Sequence, residues 1–168
     1  MNGPDLELNF KNSTNVQVKI YTDGSARGNP GPGGYGVLLH SGKHYKELSA
    51  GYRKTTNNRM ELLAVIVALE SLKLTGLHVT IFTDSKYVCD AIEKKWLDNW
   101  QKINFKGKKN ADLWQRFLKI APKHYISMRW IKGHAGHKEN ERCDVLATEA
   151  ADGKDHLIDE GFESGLFN

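Results

Sequence analysis

Residues 57–83 read NNRMELLAVIVALESLKLTGLHVTIFT. Apolar residues from Met60 to Leu69 fall on nearly every side of a helical wheel, so the spacing predicts a helix over 57–72 that is buried rather than amphipathic. Thr75-Gly76 ends it. Leu77 to Thr83 is β-branched and aromatic, which predicts a strand. Upstream, Val16, Val18 and Ile20 alternate with Gln17, Lys19 and Tyr21, the period of another strand, which is expected to stop at Asp23-Gly24. Strand, buried helix and strand in that order imply a right-handed crossover into parallel pairing.

Working outward, the Gly- and Pro-dense segment Gly28 to Gly36 is expected to turn. Residues 35–40 and 44–52 read as strands joined by a Ser41-Gly42 hairpin turn. Downstream, helices are expected over 85–92, 96–102 and 112–120, a basic loop over 105–110, a fifth strand over 125–131 and a last helix over 139–151. The expected fold is α/β: a mixed five-stranded sheet, an antiparallel meander plus two parallel strands, flanked by helices. The domain should span 16–152, with a poorly ordered leader at 1–15, a basic protrusion at 94–110 and a tail at 153–168. In open α/β sheets ligands gather at the carboxyl ends of parallel strands, so the chemistry is sought there.

Composition narrows the class. At 168 residues the chain suits one domain, and 39% hydrophobic residues exclude whole-chain disorder. The longest apolar run, Leu62 to Leu69, is far shorter than the ~20 residues of a membrane span. Cys89 and Cys143 cannot form a disulfide framework, and the N-terminus lacks the pattern of a signal peptide, so a cytoplasmic protein is expected. A net charge of +4 and a pI near 9.0 hint at a polyanionic partner.

Two strands end alike, in Tyr21-Thr22-Asp23-Gly24-Ser25 and Phe82-Thr83-Asp84-Ser85. If the strands are parallel neighbours, Asp23 and Asp84 lie side by side. Like charges that close need compensation, which a hard divalent cation supplies. Taken singly, Asp23 before glycine also suits a turn, and Asp84 before a helix suits an N-cap. Glu61 sits in the first turn of the buried helix, where Asn58 as N-cap would make it half of a capping box. Facing inward, it would need a partner. Asp144 also suits an exposed helix position. His134 lies in the loop Gly133-His134-Ala135-Gly136-His137, where a mobile imidazole could move protons. His134, His137 and Cys143 have no fourth ligand at zinc spacing.

These motifs together resemble the ribonuclease HI family of bacterial type. The resemblance is carried by Tyr21-Thr22-Asp23-Gly24-Ser25, Gly28-Asn29-Pro30-Gly31-Pro32-Gly33-Gly34-Tyr35-Gly36 and Thr55-Thr56-Asn57-Asn58-Arg59-Met60-Glu61-Leu62. Thr83-Asp84-Ser85, Lys132 to His137 and Asn140-Glu141-Arg142-Cys143-Asp144 complete it, in order, over about residues 17–152. The resemblance implies a metal-dependent endonuclease that cuts the RNA strand of RNA–DNA hybrids, leaving 5′-phosphate and 3′-hydroxyl ends. It implies two Mg²⁺ ions, for which Mn²⁺ can substitute, on Asp23, Glu61, Asp84 and Asp144. Asp23 would bridge the ions, Asp144 would hold the one that activates water, and Glu61 and Asp84 would serve the leaving-group side. His134 matches the family's loop histidine, which assists proton transfer or product release.

The same resemblance assigns substrate contacts. Asn29, Asn57 and Asn58 match positions that meet the hybrid, where short amides can read the 2′-hydroxyl. Thr56 and Asn110, with Lys54, match a pocket for a phosphate of the DNA strand, and Arg59 matches a structural neighbour of the site. Lys86 stands where relatives often carry Gln. Residues 94–109 carry six lysines, Lys102 and Lys106 among them, against the single acid Asp98. Trp96, Trp100 and Phe105 interleave with them, which suits a polyanion with sugar and base faces. The partner expected is the hybrid duplex, met by a monomer with no obligate protein partner and no membrane. The rival readings are a hybrid-binding module without catalysis and a DNA-processing nuclease of the same fold.

Overall fold

The computed structural model describes residues 17–168. The expectation for the leader at 1–15, and Val16 of the first strand, lie outside them. The first strand, β1 (Gln17–Ala26), pairs antiparallel with β2 (Gly31–Ser41), which pairs antiparallel with β3 (His44–Thr55). Helix α1 (Asn57–Glu70) then crosses the sheet to β4 (His78–Thr83), parallel to β1. Helices α2 (Lys86–Glu93), α3 (Trp96–Lys102) and α4 (Ala111–Ile120) lead through a 3₁₀ turn to β5 (Tyr125–Trp130), parallel to β4. Helix α5 (Lys138–Asp152) and the short α6 (Glu160–Glu163) follow. The sheet order is β3-β2-β1-β4-β5, the expected mixed five-stranded α/β sheet.

The buried helix is confirmed: ten of the residues of α1 are buried, Met60, Leu62, Ala64, Val65 and Ile66 among them with no exposed surface. Helix α1 lies on one face of the sheet and α5 on the other, over β1, β2 and β3. A run of glycines permits the second contact. A Cβ at Gly36 would meet the Cys143 carbonyl oxygen at 2.2 Å, and one at Gly34 the Ala147 carbonyl oxygen at 2.6 Å. Without side chains there, α5 sits directly on β2, and Asp144 is carried to the sheet's upper end.

Some boundaries differ from the expectation. Strand β1 continues through Asp23-Gly24 to Ala26, and β2 starts at Gly31, so only residues 27–30 turn. Ladder pairing of Gly24 with Tyr35, Ser25 with Gly34 and Ala26 with Gly33 overrides the turn preference of the glycines. The N-cap of α1 is Thr56, whose hydroxyl accepts the Arg59 N–H at 3.2 Å, so Asn58 and Glu61 form no capping box. The N-cap of α2 is Ser85 rather than Asp84. Both corrections free carboxylates from the structural roles that sequence allowed them. Phe105, read as part of the basic surface, is buried in the core.

Residues after Gly153 pack on the domain. Leu157 exchanges backbone hydrogen bonds with Gly51 and Arg53 beside β3, at 2.8 and 2.9 Å. The Arg59 guanidinium, 1% exposed, is gripped by Asp159 through Nε and Nη2 and by Asp112 through Nη1 and Nη2, at 2.7–2.9 Å. Thr55 donates its hydroxyl to the same Asp159 at 2.7 Å. Gly161 admits this arrangement, since a Cβ there would lie 1.9 Å from Asp112 Oδ2.

Candidate functional site

Asp23, Glu61 and Asp84 meet at the carboxyl ends of β1 and β4, with one carboxylate oxygen from each lying within 4.8 Å of the others. Parallel pairing of Tyr21 with Phe82 sets Asp23 and Asp84 side by side. Gly24 brings the third: a Cβ at that position would lie 2.3 Å from the Glu61 backbone nitrogen, so only glycine lets the first turn of α1 press on β1. Asp23 and Glu61 are buried, and Asp84 is half-buried. Asp144, half-buried on α5, stands outside this trio but close enough for its charge to act on Asp23.

The electrostatics are unfavourable for bare carboxylates. Burial first, then the charges of Asp84 and Asp144, push the Asp23 carboxyl up to about 8, although it accepts the Gly24 N–H at 2.9 Å. Burial and the charges of Asp23 and Asp84 drive Glu61 well above the usual carboxylate range. Asp84 is raised by burial too, while its own backbone N–H and His134 pull the other way. Glu61 Oε2 is buried without a hydrogen-bond partner. Hard oxygen donors, an orphaned carboxylate oxygen and excess negative charge are what a divalent cation would satisfy.

The loop after β5 closes on this cluster. A Cβ at Gly133 would meet Asp84 Oδ2 at 2.6 Å, and His134 beside it is exposed in a left-handed conformation, φ 55°. Trp130, which the sequence reading passed over, donates its indole N–H to the Asp84 carbonyl at 3.0 Å. Lys86 lies over its ring, 4.8 Å from the centroid. The signal for Trp130 was its place at the end of β5, level with Thr83.

The RNase H family model matches residues 15–152. The chain belongs to the RNase H family. Two curated relatives named Ribonuclease H illustrate the match. The protein of Idiomarina loihiensis is 52% identical over 155 residues, covering 89% of this chain and 98% of the relative. That of Syntrophus aciditrophicus is 54% identical over 151 residues, covering 87% of each. Among solved structures, LC9-RNase H1, described as a type 1 RNase H with the type 2 active-site motif, superposes with a TM-score of 0.75 at 33% identity, over 92% of this chain and 82% of that one. LC11-RNase H1, solved in complex with RNA/DNA hybrid, has a TM-score of 0.56 at 29% identity, over 80% of this chain and 96% of that one. This RNase H chain is therefore an enzyme of a metal-dependent family, with an acidic cluster fit for metal.

The other residues singled out in this RNase H fall into two groups. Asn29, Thr56, Asn58 and Asn110 line one small cavity of about 130 Å³, with Lys109, Phe162 and Asn168. Asn29 joins the wall to α1 by accepting the Asn57 N–H at 3.0 Å, and Lys54 is exposed near the end of β3. Asn110, left-handed at φ 64°, is held by the Phe167 carbonyl, the Tyr87 hydroxyl and the Arg59 guanidinium. Phe162 and Asn168 were missed by sequence reasoning, because the tail shows no period.

The second group is the basic segment. Leu97 and Phe105 are buried, and Trp100 packs edge-on against Trp114, centroids 5.8 Å apart. These apolar anchors leave Lys94, Lys95, Lys102, Lys106, Lys108 and Lys109 exposed. Lys94 lies over Trp96 at 5.7 Å and Lys108 over Trp100 at 5.5 Å, so the two indoles partner cations while Trp96 remains 37% exposed.

Proposed function

We propose that this chain is an endoribonuclease that cleaves the RNA strand of RNA–DNA hybrids by hydrolysis, leaving 5′-phosphate and 3′-hydroxyl ends. The observation that carries the reading is the convergence of Asp23, Glu61 and Asp84 from three elements within 4.8 Å, with Glu61 Oε2 unpartnered. Asp23, Glu61, Asp84 and Asp144 are assigned as ligands of two Mg²⁺ ions, with Mn²⁺ as a substitute. Bound there, the ions supply a lowered water pKa and charge neutralisation at the attacked phosphate and at the departing oxygen. The four carboxylates would hold the ions rather than the phosphate itself, which bare carboxylates of like charge would repel. His134, exposed in the loop beside Asp84, is assigned the transfer of a proton to or from the site, or the release of product.

Around that centre, Asn29, Asn57 and Asn58 take the 2′-hydroxyls of the RNA strand, whose donor and acceptor character separates RNA from DNA. Thr56 and Asn110, with Lys54 beside them, hold a phosphate of the DNA strand, a reading supported by the cavity that Thr56 and Asn110 share. Lys86, Trp96, Trp100, Lys102 and Lys106 extend the grip along the duplex. The two buried free cysteines suit a reducing compartment, and we place the enzyme in the cytoplasm as a monomer with no obligate protein partner.

The test is a panel of end-labelled substrates: RNA–DNA hybrid, RNA–RNA, DNA–DNA and single-stranded RNA, each with Mg²⁺ and with EDTA. Cleavage is expected only of the RNA in the hybrid, and only with the metal. Cutting of DNA would transfer the chain to the DNA-processing nucleases of this fold. Hybrid binding without cleavage under Mg²⁺ or Mn²⁺ would make it a silent binding module.

A further inference from the structure

Helix α5 covers β1, β2 and β3, and among the described residues no helix covers the same face of β4 and β5. The ladder registers show what that face presents. One row across the sheet runs Tyr45, His40, Lys19, Thr80 and Ser127. The row above it runs Glu47, Leu38, Tyr21, Phe82 and Arg129, and the row below runs Gln17, His78 and Tyr125. Side chains at every second position share a face, so Asp23 of the candidate active site tops the column that continues through Tyr21, Lys19 and Gln17. The face therefore starts at the carboxylates and descends from them.

Its chemistry is that of a stacking platform with cations. His78 and Tyr125 stack at 4.8 Å with an interplanar angle of 17°, and Tyr21 and Phe82 at 4.7 Å and 12°. Because β5 is an edge strand, the His78–Tyr125 stack ends on an open ring, and Tyr125 is 65% exposed. Tyr45, 57% exposed, stands on β3 at the far end of the middle row. Two cavities, about 450 and 290 Å³, lie along the face, the larger against Lys138, Glu139 and Arg142 at the start of α5. Lys19, Arg129, Lys138 and Arg142 face two acids, Glu47 and Glu139, and Glu47 is tied to Arg142 at 2.7 and 2.9 Å.

We propose that this open face binds the single-stranded continuation of the RNA strand beyond the hybrid, with Tyr125 stacking an unpaired base and Lys19 and Arg129 meeting its phosphates. The inference rests on the reading of the chain as a hybrid-cleaving enzyme. RNA is assigned rather than the DNA strand because the face descends from the carboxylates that are read as cutting RNA. Aromatic rings accept any base, and cations along the path add sequence-independent affinity.

The experiment measures kcat and KM on a blunt hybrid and on the same hybrid with a single-stranded RNA extension at its 5′ or its 3′ side, or a DNA-strand extension. One RNA extension is expected to lower KM by about tenfold, the effect of one base–aromatic stack, with kcat unchanged. Y125A should lose that advantage and keep wild-type kinetics on the blunt hybrid, and Y125F should retain it. K19Q and R129Q should each flatten the salt dependence of the advantage. Equal KM for all hybrids, an advantage that survives in Y125A, or an equal advantage from a DNA-strand extension would overturn the proposal. Fluorescence anisotropy of labelled single-stranded RNA, wild type against Y125A, reads the face without catalysis. If the blunt hybrid were not cut at all, the functional reading would fall, while equal anisotropy in the two proteins would separately sink the platform.

Discussion

A methyl group at position 24 would sit 2.3 Å from the Glu61 nitrogen and 2.5 Å from the Met60 carbonyl carbon. Both are backbone, so α1 must move rather than a side chain turn. Gly24→Ala is expected to cost about 1–3 kcal/mol, a fall of roughly 3–10 °C in melting temperature, and to carry Glu61 away from Asp23. Calorimetry and a cleavage assay check both effects together; wild-type activity in the variant would show that the helix–strand approach does not build the site. Asp23→Asn changes charge with little change of shape. Cleavage of the hybrid should fall to background under Mg²⁺ while hybrid binding stays within about threefold, well under the tenfold that 1.4 kcal/mol of lost binding would give. Residual turnover near the wild-type rate would remove Asp23 from the metal set.

At the scale of elements, two segments without sequence period gain their order from others. The tail is tied through Asp159 to the guanidinium of Arg59 on α1, with Asp112 of α4 on its other side. Burial raises the Asp159 carboxyl, but the hydrogen bonds from Arg59 and Thr55 and the Arg59 charge outweigh it and hold the group below its ordinary value near 3.8. A carboxyl lowered by folding contributes stability that is present above pH 3.8 and lost as pH falls through the folded value. Asp159→Asn should therefore destabilise the protein by about 3 kcal/mol at neutral pH, since it leaves a buried cation under-paired, and should flatten the acid limb of the stability curve. Urea melts between pH 2 and 7 measure this, and parallel curves for the two proteins would refute it. In the basic segment, the buried Leu97 and Phe105 anchor the lysines without using their charge, while Trp100 packs on the core and lies under Lys108. Alanine at Lys102, Lys106, Lys108 and Lys109 should raise KM for the hybrid and reduce the log–log salt slope by roughly one for each phosphate no longer neutralised. An unchanged slope would mean that these lysines touch no phosphate.

For the molecule as a whole, the carboxylate cluster makes stability depend on pH and on metal together. Asp23 is raised from 3.8 to about 8 by burial and by its acidic neighbours. A carboxyl raised by folding contributes stability that is complete below 3.8 and lost as pH rises through the folded value. In EDTA the melting temperature should therefore fall between pH 4 and 8, and Mg²⁺ should restore it at pH 8 by binding only the folded cluster, by up to ~2.7 kcal/mol at a hundred times its Kd. Asp23→Asn should be the more stable protein in EDTA at pH 8. A flat profile in EDTA, or no response to Mg²⁺, would count against like-charge strain in the cluster.

The sheet, the buried crossover helix and the family motifs were legible along the chain, because these depend on periodicities of two and 3.6 residues and on short runs of neighbouring residues. The sequence also pointed to Asp23 and Asp84, since two strands that end alike place their carboxylates alike once they are parallel. Tertiary structure alone decided that Thr56 and Ser85, not Asn58 and Asp84, cap their helices, which leaves Glu61 and Asp84 facing the cluster. It alone decided that Gly24 and Gly36 set the approach of α1 and α5, and that Phe162 and Asn168 complete the cavity around Asn110. The glycine approaches and the cavity bring together residues 37 to 139 positions apart, Gly24 against Glu61 and Asn29 on one cavity wall with Asn168, and no local period carries them.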